Sequence, residues 1–185
     1  MKSLYYVLWI ALSTAMNPLG MAQAATSMSD ALDFWVNNAE KEIVSAADAM
    51  PEKAYSFAPN GAAFSGVRTF AEQVKHLAAN NYRMAARMVA REPAPDQEAE
   101  RGPDTVRSKA EIIEYLKGSF VALHRAVALT TAENALTPVL NERTGTVRQN
   151  TRLQFAVDAV AHSYDHYGQM VEYLRMNGIV PPASR

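Results

Sequence analysis

His162-Ser163-Tyr164-Asp165-His166-Tyr167-Gly168-Gln169-Met170-Val171-Glu172-Tyr173-Leu174-Arg175, continuing through Met176-Asn177-Gly178 to Ile179-Val180-Pro181-Pro182, reads as the second half of a long amphipathic helix with an abrupt stop. Val160, Tyr164, Tyr167, Met170, Val171 and Leu174 recur at the spacing that turns one apolar face toward a core. Gly178 can take the left-handed backbone that closes a helix C-terminus, and Pro181 and Pro182 forbid the helix to resume. Inside this helix His162 and His166 stand at i and i+4, so their imidazoles leave one face about a turn apart. Two imidazoles so placed can share a divalent metal ion, and a third ligand has to come from elsewhere in the chain.

The helix extends back from Asn177 to near Arg148, roughly 45 Å at ~1.5 Å per residue. Three further segments carry the same period. Ser29 or Asp30 can cap a first helix whose buried stripe is Leu32, Trp35, Val36, Ala39, Ile43 and Ala46, bounded downstream by Pro51. Thr69 and Glu72 form a capping box for a second helix that runs to about Arg91, with Phe70, Val74, Leu77, Ala78, Met84 and Met88 on its apolar side. His76 lies beside that stripe, with Asn80 one turn on. Ser108 and Glu111 form another capping box, and Ile112, Ile113, Leu116, Phe120, Leu123 and Val127 mark the inner face of a third helix, with His124 nearby. Residues 52 to 67 mix turn residues with aromatics and read as an ordered connection packed on the body. Residues 92 to 107 are polar and long enough to cross between helices that are not hairpin partners. From Thr130 to about Val147 the period is lost, no strand alternation of useful length appears, and the segment reads as a loop. The expected fold is all-α, a four-helix bundle with one long crossover connection.

At the other end of the chain, residues 1 to 24 resemble a cleavable secretory signal. Lys2 is a short basic region, Leu4 to Leu12 the apolar core, and Ala22-Gln23-Ala24 a small-x-small cleavage site. The apolar run is broken early by Asn17 and Pro18, which argues against a spanning anchor. The mature domain is then 25–185, secreted or periplasmic, with no membrane partner after cleavage. The net charge is -1 and no basic patch stands out, so nothing points to nucleic acid. The chain has no cysteine, which removes thiolate nucleophiles, cysteine zinc ligands and disulfides together. Its stability must come from its core, and its metal chemistry from histidine, carboxylate or water.

The remaining histidines, His76 and His124, sit on different helices. The zinc-protease signature His-Glu-x-x-His is excluded, since Ser163 stands where its glutamate would be. Residues alone leave the choice of third ligand open. Tyr55 to Pro59, Val67-Arg68-Thr69-Phe70 and Val74-Lys75-His76-Leu77-Ala78-Ala79-Asn80-Asn81-Tyr82, together with His162-x-x-x-His166-Tyr167-Gly168-Gln169 and Leu174-Arg175-x-x-Gly178-Ile179-Val180-Pro181-Pro182, resemble the DinB/YfiT-like family over essentially the whole mature chain. The resemblance implies a bundle in which His76, His162 and His166 bind a divalent metal, with an open position for water or substrate. Neutral imidazoles suit Zn²⁺ or Ni²⁺. His124 is then expected in the core or lining the cleft. Asp158, one turn before His162, could accept from an imidazole. Asp165 and Gln169 could approach bound water, and Asn80 could support His76.

Relatives of this kind include thiol-dependent S-transferases, isomerases and metal-dependent hydrolases acting on small molecules. The resemblance thus implies an exported metal-dependent enzyme, whose substrate partner could be a low-molecular-weight thiol. No glutamate directly follows either histidine of the last helix, which tilts the reading slightly toward the thiol. The export signal tilts it back, because the major cytosolic thiols are scarce outside, and the sequence does not choose between a thiol transferase and a metal-dependent hydrolase. A non-catalytic bundle that binds metal or ligand is the competing class. A homodimer is compatible with such a bundle, although no interface stripe stands out.

Overall fold

The computed structural model describes residues 26–91, 101–140 and 147–185; the signal segment expected at 1–24 lies outside them. Four helices carry the fold: α1 (Met28–Ala49), α2 (Phe70–Met88), α3 (Lys109–Ala128) and α4 (Arg152–Met176). Each begins at a capping box, Ser27 with Asp30, Thr69 with Glu72, Ser108 with Glu111 and Thr151 with Gln154, so two otherwise orphaned backbone donors are satisfied at every helix start. The cap of α1 is therefore Ser27, earlier than Ser29 or Asp30. Gly178 has φ +72, and Ile179 N–H reaches back to Leu174 O at 3.0 Å, the left-handed closure expected for α4.

α2 packs against both α3 and α4, and α1 against both α3 and α4. Phe70, Leu77, Met88, Leu116, Phe120, Ile43, Met170 and Leu174 are fully buried between them. The 92–107 connection thus joins two helices that lie directly on one another. The crossing falls instead in the 50–69 and 129–151 connections. The first is ordered by its own bonds, as its aromatics suggested. Tyr55 donates to Ala47 O at 2.7 Å, and Phe70 and Ala71 N–H bond the carbonyls of Phe57 and Tyr55 at 2.8 Å each.

Three further sequence expectations are corrected. Trp35, assigned to the buried stripe of α1, is 54% exposed. The segment read as loop before α4 holds a short antiparallel pair, β1 (Pro138–Leu140) and β2 (Val147–Thr151), with Pro138 opposite Thr151 and Leu140 opposite Val147. Strands this short show no usable alternation. Because Thr151 caps α4, that helix starts at Arg152 and not near Arg148. Among the described residues no helix is long and apolar enough to cross a membrane.

Candidate metal centre

The inner face of α4 is not the apolar stripe its hydrophobic residues suggest. Phe155, Ala156, Ala159, Ser163, His166, Met170, Tyr173 and Leu174 are buried, while Val160, Tyr164 and Tyr167 flank them half-buried. Polar residues sit inside because α2 opposes them with polar residues of its own: Gln73, His76, Asn80 and Asn81 are buried on its facing side. Between these helices His76 meets His162 and His166. Nε2 of His162 lies 3.2 Å from Nε2 of His76 and 3.2 Å from Nε2 of His166. All three candidate ligand atoms fall within 4.8 Å of one another. Tetrahedral coordination with Zn–N bonds of ~2.0–2.1 Å separates neighbouring nitrogens by about 3.3 Å, so the two spacings match one ion held by three imidazoles.

Electrostatics keeps these rings in the form a metal needs. Burial first, then the positive charge of Arg68, the neighbouring His162 and Arg83, push His76 down to about 4. Burial, His162, His76 and Arg68 push His166 down to about 3. His162 is lowered too, chiefly by burial, with Asp158 and Asp165 partly opposing. Neutral imidazoles with lone pairs turned toward a common point are metal ligands at neutral pH. His76 and His166 are only 6% and 5% exposed, so bulk water does little to screen that point.

A chain of hydrogen bonds sets the orientation of His166. Its Nδ1 lies 2.8 Å from Gln73 Oε1, Gln73 Nε2 donates to Gln169 Oε1 at 2.6 Å, and Gln169 Nε2 donates to Asp165 Oδ2 at 3.3 Å. An ionised carboxylate can only accept. Asp165 therefore turns the Gln169 amide, Gln169 turns the Gln73 amide, and Gln73 presents an oxygen that requires a proton on His166 Nδ1. The lone pair of His166 is left on Nε2, facing the other two rings. Gln73 was not singled out from the sequence. The available signal was a polar residue one turn before His76, between the buried Phe70 and Val74.

The other sequence candidates are distributed as follows. Asp165 and Gln169 join this chain behind His166. Asp158 is exposed on α4, and Nδ1 of His162 is buried with no hydrogen-bond partner among the described residues, so Asp158 does not hold that ring. Asn80 is buried and accepts from Arg83 through Oδ1. His124 belongs to neither the deep core nor this cleft. It is half-buried on α3, with its two ring nitrogens bonded to Asp33 and Glu40 of α1.

A four-helix bundle with three histidines converging from two facing helices defines a class of candidate divalent-metal proteins. The model of the DinB superfamily matches residues 36–170, and the chain belongs to that superfamily. No curated protein matches the chain.

Proposed function

We propose that this protein is an exported metal-dependent enzyme that transfers a small-molecule thiol to an electrophile, using His76, His162 and His166 to hold one Zn²⁺ or Ni²⁺. The observation that carries the reading is the convergence of three imidazoles, with His162 Nε2 at 3.2 Å from Nε2 of both His76 and His166 and all three ligand atoms within 4.8 Å of one another. Three neutral ligands leave the charge of a divalent cation uncompensated, and such a cation, when bound, lowers the pKa of a thiol or water that reaches its open position. The chain's own residues favour the thiol. The acidic side chains near the cluster are poorly placed to act as the base a hydrolase wants: Asp165 is engaged by Gln169, and Asp158 makes no hydrogen bond to His162 Nδ1. The positive charges of Arg68 and Arg83 lower the proton affinity of His76 and His162, and the same field favours an anionic sulfur. In the transfer the thiol gives up its proton to solvent, sulfur forms the new S–C bond, and the leaving group of the electrophile departs with the displaced electron pair.

Elemental analysis of the natively purified protein is expected to find about one Zn²⁺ or Ni²⁺ per chain, abolished in His162→Ala. No stoichiometric metal after reconstitution would end the reading. Metal-loaded protein that turns over no thiol–electrophile pair would leave a metal-binding module without this activity. Export rests on the sequence of residues 1–24, and N-terminal sequencing of the mature protein is expected to begin at Ala25.

A further inference from the structure

Burying histidines and amides on the inner side of α4 turns apolar residues of that helix outward. Val157, Ala161, Tyr164, Gly168 and Val171 lie outside its buried set, at alternating steps of four and three that keep them on one face. Val157 is 54% exposed, Ala161 and Gly168 are exposed, and a Cβ at Gly168 would meet nothing within 4 Å. α1 packs alongside: Leu32 and Trp35 join Val157, Val160, Ala161 and Tyr164 around a slot of about 310 Å³, with no charged residue among the described residues lining it. Phe34, 58% exposed, stands edge-on to Trp35, with ring centroids 5.4 Å apart.

We propose that this face of α1 and α4 is covered by a second copy of the chain, in a two-fold dimer whose axis passes at Tyr164. A two-fold contact uses the same patch on both copies, so the patch has to be complementary to itself. Outward from Tyr164 in either direction the stripe has the same order, a small residue (Ala161 or Gly168) and then a valine (Val157 or Val171). Antiparallel pairing of two α4 helices therefore sets Val157 opposite Val171 of the other copy and Ala161 beside its Gly168, with the two tyrosines meeting at the axis. Tyr164 is also the midpoint of α4, which runs from Arg152 to Met176, so the two helices overlap along their full length. The small residues on either side of the tyrosine let the backbones come close.

The size of the face suits a stable dimer. α1 and α4 have 22 and 25 residues, about 33 and 37 Å at ~1.5 Å per residue, and two helices side by side present a face about 20 Å wide. Each copy then contributes roughly 700 Å², about 1,400 Å² together, within the ~1,200–2,000 Å² of specific, stable interfaces. Aliphatic and aromatic side chains occupy the centre, as such interfaces require. Asp158, Asp165 and Glu172, seven residues apart, form an exposed acidic border on α4. A lipid surface would call for basic residues at that border. The acids favour a protein partner, and the symmetry of the stripe favours this chain.

The test follows self-association of the protein produced as residues 25–185, by sedimentation equilibrium and by fluorescence. Of the two tryptophans in the sequence, Trp9 lies in the signal segment, so Trp35 is alone in this chain and its emission reports on the face directly. A dimer with a dissociation constant of ~1 µM or tighter is expected, with Trp35 emission moving to the blue as it forms. Raising the ionic strength should tighten it, because salt screens the acidic border and leaves the apolar centre in place. Val157→Glu and Gly168→Lys should each weaken association by at least about a hundredfold, since the symmetry introduces every charge twice, while helical circular dichroism stays that of the parent. Should one of the two misfold, the other decides. Val121→Ser, at an exposed apolar position of α3, should leave the dimer unchanged. A parent that stays monomeric about a hundredfold above that concentration overturns the proposal. A dimer that survives both charged substitutions, Trp35 emission that ignores concentration, or a monomer that binds lipid vesicles overturns it as well.

Discussion

Replacing Gln73 by leucine tests whether the amide chain behind His166 shapes the metal centre. Gln73 is only 2% exposed and makes two bonds that leucine cannot, to His166 Nδ1 at 2.8 Å and to Gln169 Oε1 at 2.6 Å. Leucine has nearly the same volume, so the α2–α4 interface can close around it with a small packing cost. What is lost is the acceptor that fixes the proton on Nδ1. His166 can then exchange tautomers, and only the form with a lone pair on Nε2 binds metal. Removal of such an outer partner typically costs 10–100-fold in metal affinity, or about 1.4–2.7 kcal/mol. Stranding a buried imidazole N–H costs a similar ~1–3 kcal/mol. Zn²⁺ affinity measured against a chromophoric chelator should therefore fall by about that factor, with one ion still bound at saturation. Gln73→Glu restores an acceptor for His166 and should recover most of the loss. Nitrogen NMR of metal-free protein should report the Nδ1–H tautomer at His166 in the parent and a mixture in Gln73→Leu. Parent affinity in the leucine variant, or a loss that Gln73→Glu does not recover, would refute the role assigned to this chain.

Other perturbations reach different parts of the molecule. The depressed values of His76, to about 4, and His166, to about 3, with His162 lowered as well, mean that metal uptake should persist below the ordinary imidazole value of 6.5, as equilibrium dialysis across pH can measure. The same depression gives the metal-free fold stability that is present above pH 6.5 and declines as pH falls, because the unfolded chain takes up protons that these rings refuse. His124 has the opposite sign: burial disfavours its charge, but Asp33 and Glu40 outweigh burial and raise its pKa. Its contribution is full below pH 6.5 and lost as pH rises through the folded value, so urea midpoints of parent and Glu40→Gln should differ more at low pH than at high. Gly102→Ala would force left-handed backbone and a 2.5 Å approach to Lys75 Cβ, costing roughly 1–3 kcal/mol in urea unfolding and displacing Arg101 from Glu72.

The helical class, the number of helices and most of their starts were legible from local chemistry. Capping boxes and apolar periods act within a few residues, and Thr69 to Glu72 and Ser108 to Glu111 announced α2 and α3 for that reason. The missed start of α4 had the same signal, Thr151 with Gln154, hidden behind a hairpin too short to show a period. Trp35 shows where local pattern stops: it is apolar and in phase with the stripe of α1, yet 54% of it is left exposed.

The i, i+4 spacing of His162 and His166 was also a local fact, and one turn of helix is enough to bring those rings together. The meeting with His76 was a different matter. Residues 86 positions apart in the chain share a point only because α2 and α4 lie side by side. The same adjacency makes partners of Gln73 and Gln169, which sequence places on separate helices with no sign that either amide touches the other. Tertiary structure likewise sends His124 to Asp33 and Glu40 of α1 instead of to the cleft. Short-range hydrogen bonding and periodicity are written into neighbouring residues, whereas the choice of which polar faces oppose each other depends on how four helices pack, a property of the whole core that no single segment contains.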